Sequence, residues 1–147
     1  MGLSVFFSHS GRDRSFGQQF AAQAQASGIG TYLFQNDARP GAPLSGKIQQ
    51  AIRQSDMLVV LLTQVGDQSR YVHQEIGFGL GAGKLVIPLL EDGIDEDALG
   101  MLSGLEYLPF NIHDPERATG ILASYLTHLQ QQREDALERE RLQDRLS

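Results

Sequence analysis

The run Tyr71-Val72-His73-Gln74-Glu75-Ile76-Gly77-Phe78 sets a carboxylate between two aromatic rings. At about 100° per residue, Tyr71, Glu75 and Phe78 fall on one stripe of a helix, because positions three and four apart stack along its surface. Val72, Ile76, Gly79, Leu80 and Gly83 form a second stripe, about a quarter-turn away, that is expected to face a core. A glutamate beside that face, flanked by rings, suits a cleft that stacks a planar group and holds a polar one. On these residues alone the other reading is a solvated Glu on a surface helix, where most glutamates are found.

The remaining reactive residue types exclude several chemistries. The four histidines (His9, His73, His113 and His128) are scattered, with no pair at metal-ligand spacing, so no metal site is expected. Cysteine is absent, which removes disulfides and thiolate chemistry. A net charge of −6 argues against a general nucleic-acid binder, which carries a basic stripe. It still allows a small anion held by a few basic groups and backbone N–H groups.

Two glycine-rich runs imitate phosphate loops. Gly41-Ala42-Pro43-Leu44-Ser45-Gly46-Lys47 has the glycine and lysine spacing of a P-loop, but Ile48 stands where Ser or Thr would ligate magnesium. Pro43 also removes an N–H from a loop that works by presenting them. The apolar strand that follows does not end in a metal-holding Asp, so an NTPase is rejected. Gly77-Phe78-Gly79-Leu80-Gly81-Ala82-Gly83 suggests a dinucleotide fingerprint, yet it ends a helix and leads into a strand, the reverse of the required order. Close helix–sheet packing is the expected reason for these glycines, since each costs about 1 kcal/mol in a helix.

The chain has 147 residues, a length that suits one domain with a full core. No run approaches the ~20 apolar residues that span a bilayer. The N-terminus has no basic n-region, and Phe6 stands where myristoylation wants Ser or Thr. A cytoplasmic protein without membrane attachment is expected.

The elements that must position Glu75 follow from hydrophobic pattern. Leu3–Ser8 reads as a buried strand, Arg14–Ser27 as a helix, Gly28-Ile29-Gly30 as a stop and Thr31–Phe34 as a short strand. Gln35–Leu44 holds two prolines and a glycine and reads as a loop. Ser45 is a suitable N-cap for a helix through Gln54 with Ile48, Ala51 and Ile52 inward. Met57–Thr63, apolar at almost every position, reads as a strand covered on both faces. A polar loop, Gln64–Arg70, leads to the Tyr71–Gly83 helix. Leu85–Leu90 is a further strand, whose Pro88 argues for a strand end or bulge rather than a fully paired central position. An acidic loop with a short helix spans Glu91–Ser103. Leu105–Phe110 is the last strand, and Pro115 opens a terminal helix.

Strands alternating with helices predict an α/β fold: a flavodoxin-like, doubly wound, five-stranded parallel sheet with helices on both faces. Ligands of such sheets sit beyond the C-terminal strand ends. The loop after Ser8, the loop after Phe34 and the start of the Tyr71 helix all converge there. Residues 1–130 form the expected domain. Residues 131–147 form a charged helical extension, either solvated or a partner-binding helix.

With the segments placed, residues 3–130 resemble a TIR (Toll/interleukin-1 receptor) domain. Val5-Phe6-Phe7-Ser8-His9 looks like the family's first box. Asp37-Ala38-Arg39-Pro40-Gly41, followed by Ile48, Ala51-Ile52 and Ser55, is similar to the BB loop and its helix. Met57–Thr63 resembles the third strand. Tyr71 to Ile76, then Gly83-Lys84 and Val86-Ile87-Pro88, looks like the segment that carries the catalytic glutamate of NAD-cleaving TIR domains. Two departures stand out: Tyr71 replaces the Trp often found four residues before the glutamate, and no Phe-Trp third box is present. The build is closer to bacterial TIR proteins, including those of Thoeris-type anti-phage defence.

The resemblance implies an NAD+ nucleosidase or cyclase that releases nicotinamide and forms ADP-ribose or a cyclic ADP-ribose isomer. NAD+ is then a substrate, and no cofactor is needed. Glu75 would stabilise the oxocarbenium-like ribose. Tyr71 would stack in the pocket, and Ser8 and His9 would line its floor. Arg12, Arg39 and Lys47 are candidates for the pyrophosphate or solvated surface charges. Asp37 would take a ribose hydroxyl or shape the BB loop. The Asp37–Leu44 loop would support self-association, and a downstream effector would sense the product. The rival readings are a non-enzymatic TIR scaffold and a nucleoside deoxyribosyltransferase-like enzyme, which shares a similar sheet and also uses a glutamate.

Overall fold

The computed structural model describes residues 2–33, 44–64, 70–95 and 99–146, with the backbone alone for Arg70 and Tyr71. Five parallel strands, β1 (Ser4–Ser8), β2 (Gly30–Leu33), β3 (Met57–Leu62), β4 (Leu85–Glu91) and β5 (Leu108–Phe110), form one sheet in the order β2-β1-β3-β4-β5. The helices are α1 (Arg14–Ala26), α2 (Gly46–Gln54), α3 (Arg70–Gly81) and α4 (Pro115–Leu146). This is the doubly wound arrangement expected from the alternating pattern.

The strand pleat divides the core in two. Val5, Phe7, Met57, Val59 and Leu61 pack with Phe20 and Ala24 of α1 and with Leu122 and Leu126 of α4. Phe6, Leu58, Val60 and Leu62 point the other way, onto Ile48, Ala51 and Ile52 of α2 and Val72 and Ile76 of α3. Every residue of β3 is therefore buried, which is why that strand is continuously apolar.

Local signals explain the helix ends. The Ser45 hydroxyl accepts from the Ile48 N–H at 3.3 Å and caps α2. Beyond α3, Lys84 N–H reaches Gly79 O and Gly83 N–H reaches Leu80 O, both at 3.0 Å, with Gly83 at φ +74°. That is a Schellman cap, which needs a residue tolerant of the left-handed region. Gly79 answers a different demand: a Cβ there would stand 2.7 Å from Leu58 Cδ2. Close packing of α3 on the sheet is thus real at Gly79, whereas Gly81 and Gly83 face nothing within 4 Å.

Three expectations need correction. Leu80 is 37% exposed and Gly83 lies beyond the helix, so the inward stripe of α3 is Val72, Glu75, Ile76 and Gly79. β5 begins at Leu108, not at Leu105, because residues 105–107 follow a turn at Gly104 and reach β4 only at the Leu89–Leu108 pair. Pro88 lies inside β4 and not at a strand end; it pairs with Val60 of β3, and the β5 ladder starts one residue later. The proline therefore sits where β4 is paired on one side only.

α4 is tied down through its first half. Gln130 Oε1 accepts from Leu3 N–H at 2.9 Å, and Arg133 pairs with Asp56 at 2.8 Å. Asp56 in turn accepts from Ser4 N–H at 2.8 Å, so this contact anchors α4 to the N-terminal edge of the sheet. Residues 134–146, about 20 Å of helix, continue without a break and are exposed. Among the described residues no helix is long and apolar enough to cross a membrane.

Candidate functional site

A sheet of order β2-β1-β3-β4-β5 has its topological switch point between β1 and β3, where the outgoing chains part to opposite faces and leave a crevice. Ser8 is the last residue of β1, and Thr63 directly follows β3. The pleat sends Ser8 to the α3 side, the side of Phe6. There Ser8 Oγ donates to Glu75 Oε1 at 2.7 Å. Both residues are 1% exposed.

The solvated-Glu reading is therefore overturned, because Glu75 occupies the inward stripe of α3 between Val72 and Gly79. A carboxylate in such a place needs hydrogen-bond donors to offset lost hydration, and Ser8 is one. Phe78 is engaged differently. It is half-buried against the second core cluster, with the Arg53 guanidinium 5.1 Å from its ring centroid, a cation–π contact that ties α3 to the end of α2.

His9 points to the α1 side. Its Nδ1 lies 2.7 Å from Ser10 O. A carbonyl oxygen only accepts, so Nδ1 carries the proton and Nε2 of the neutral ring is an acceptor. The ring lies against Gly17, where a Cβ would meet Cδ2 at 2.9 Å. It is 7% exposed, and Nε2 is buried with no hydrogen-bond partner among the described residues. Such an atom is uncommon and invites a functional explanation.

Next to His9 is a group that the sequence reading did not single out. Asp13 is 3% exposed and accepts from Thr63 Oγ1 and Ser10 Oγ. Two signals pointed to it: the Ser10-x-x-Asp13 spacing ahead of a helix, and a hydroxyl residue ending a wholly apolar strand.

Of the sequence-derived candidates, the structure brings Ser8 and Glu75 into contact and sets His9 on the same strand end. Arg12 is exposed in the 3₁₀ turn after β1, and Lys47 is exposed in the first turn of α2. Both are on connections that leave the same rim of the sheet. Tyr71 lies in the first turn of α3, one turn before Glu75. Asp37 and Arg39 lie outside the described residues, as does the Tyr71 side chain. Among the described residues no cluster of three or more His, Asp or Glu could hold a metal ion.

A family model described as TIR domain matches residues 5–122. The TIR domain of the Toll-related receptor TRR-2 from Hydra magnipapillata superposes with a TM-score of 0.65 at 18% identity, covering 84% of this chain and 97% of that one. The CMP N-glycosidase BcmB of Clostridium botulinum gives 0.58 at 18% identity, covering 83% and 98%. A TIR-STING receptor from C. gigas gives 0.61 at 17% identity, covering 81% of this chain but only 39% of the receptor. No curated protein matches the sequence.

Proposed function

Because the chain belongs to the TIR domain family, we propose that it is an NAD+ nucleosidase or cyclase that cleaves the bond between nicotinamide and ribose, with Glu75 as its catalytic carboxylate. The observation that carries this reading is a buried carboxylate, held by Ser8, at the switch point of the sheet.

The chemistry needs such a group. Nicotinamide is bound through a cationic nitrogen and leaves as a neutral molecule, so no general acid has to expel it. The ribose left behind takes on oxocarbenium character, as in other glycosyl transfers. A fixed carboxylate away from bulk water stabilises that positive charge strongly, because little solvent screens it and nothing must reorganise. Ser8 fixes Oε1 and so restrains the carboxylate plane. In this reading Tyr71 supplies a stacking surface, the backbone of the Ser8-His9 strand end lines the floor, and Arg12, Arg39 and Lys47 meet the pyrophosphate. Asp37 serves a ribose hydroxyl or the shape of its loop. The attacking nucleophile decides the product: water gives ADP-ribose, and a ring nitrogen of the same molecule's adenine gives a cyclic ADP-ribose, with loss of a proton in either case. A role in anti-phage signalling, with an effector that senses the product, belongs to the same proposal, as does self-association through the Asp37–Leu44 loop.

A second reading is N-glycosidic cleavage of a nucleoside or nucleotide. The CMP N-glycosidase from Clostridium botulinum shares the fold over nearly its whole length, and the bond broken is of the same class. Chromatography of reactions with NAD+ and, separately, with CMP and deoxynucleosides decides between them. Release of nicotinamide from NAD+ supports the first reading and release of a free base the second. Turnover of neither at high protein concentration leaves a non-enzymatic TIR scaffold.

A further inference from the structure

Asp13 is a buried carboxylate that this reaction does not use. It occupies the N-cap position of α1, where an Asp normally turns its side chain onto the first N–H groups of its own helix. No such bond forms here. The carboxylate instead crosses the switch point, where Thr63 Oγ1 donates to Oδ1 at 2.9 Å and Oδ2 at 2.8 Å. Ser10 Oγ donates to Oδ2 at 3.1 Å. The Asp13 N–H donates to Ser10 O at 3.0 Å, the same oxygen that accepts from His9 Nδ1 at 2.7 Å.

Helix capping does not account for this residue. A Ser or Asn would cap α1 without burying a charge. Charge pairing does not account for it either, since among the described residues no ion pair joins Asp13 to a Lys, Arg or His. What the carboxylate does join is the turn after β1 to the end of β3, on either side of the crevice.

We infer that Asp13 is a positioning residue for the Glu75 site: it fastens the Ser8-His9-Ser10 turn to Thr63 and, through the Ser10 carbonyl, holds His9 as the Nδ1–H tautomer with Nε2 left as an acceptor. The inference rests on the N-glycosidic reading of that site. Without the clamp the Ser10 carbonyl turns away, His9 loses the acceptor that selects its tautomer, and Ser8 loses its fixed approach to Glu75.

The test compares wild type with Asp13→Ala and Thr63→Val, the second an isosteric change that keeps the test open should the first not fold. Two quantities are read: NAD+ turnover, and the His9 tautomer by long-range ¹H–¹⁵N NMR. Wild type is expected to show Nδ1 protonated and Nε2 bare. Both variants are expected to show averaged tautomers and a kcat/KM lower by about tenfold or more, the scale of effect seen when a supporting contact lets a site shift. A folded variant that keeps the wild-type tautomer overturns the inference, and so does an altered tautomer with unchanged turnover. If wild type cleaves no N-glycosidic bond, the reading of Glu75 fails separately. The tautomer comparison then stands by itself: loss of the preference supports the clamp, and its retention refutes it.

Discussion

Ser8 Oγ donates a 2.7 Å hydrogen bond to Glu75 Oε1 and so joins the end of β1 to the second turn of α3 across 67 positions of sequence. The contact depends on two periodicities at once. The two-residue strand period puts Ser8 on the face of Phe6, and the helical period puts Glu75 in line with Val72 and Gly79. Neither residue is solvated, so each constrains the other.

Replacing Glu75 by Gln removes the charge but keeps an oxygen that accepts from Ser8. NAD+ cleavage is expected to fall by about a hundredfold or more, the scale seen when one electrostatic stabiliser is lost. Stability should hold or rise, because a buried charge is exchanged for a neutral amide. Nicotinamide release and a thermal melt check both halves; wild-type turnover in the folded variant would rule out the catalytic assignment.

Ser8→Ala leaves a buried carboxylate short of one donor, which costs about 1–3 kcal/mol. The same change made on the Glu75→Gln background should cost less, because the penalty belongs largely to the charge. Urea denaturation of the four proteins measures the coupling. Additivity within about 0.5 kcal/mol would mean that the hydrogen bond contributes little.

Two glycines of α3 should respond oppositely to alanine. At Gly79 the new Cβ meets fully buried Leu58 at 2.7 Å, an overpacking that costs about 1–3 kcal/mol and exceeds the gain in helix propensity. At Gly81 nothing lies within 4 Å, so Ala should stabilise by up to about 1 kcal/mol. Chemical denaturation of both variants reads the signs.

Assembly is the last expectation. On the proposed reading, the segment Asp37–Leu44, with Pro40, Pro43 and the charge of Arg39 in its sequence, docks on a second copy. Specific activity should rise with protein concentration, and Arg39→Ala or Pro40→Ala should lower both turnover and self-association in light scattering. A strictly monomeric protein with concentration-independent activity would leave the loop serving its own subunit.

Much of this protein could be read from its residues in order. Met57 to Leu62 is apolar throughout because β3 is covered on both faces. Ser45 and Gly28 announced a helix start and a helix end through local hydrogen bonding, which needs only near neighbours. Glu75 stood out because the helical period sets its carboxylate on one stripe with the rings of Tyr71 and Phe78. All of these are signals within a few residues of chain, where geometry is set by backbone period and side-chain type.

What tertiary structure decided was rotation and partnership. Periodicity sets the angles between side chains on α3, but not how the helix is turned on the sheet. A modest turn brought Glu75 inward and Leu80 out. The length of β5 depended on where residues 105–107 meet β4, a matter of the path after Gly104. The link from Asp13 to Thr63 spans 50 positions, and neither residue's local signal names the other as its partner. A hydroxyl at a strand end and an Asp before a helix become a clamp only when β1 and β3 lie side by side, since hydrogen bonds act over about 3 Å and sequence carries no such distance.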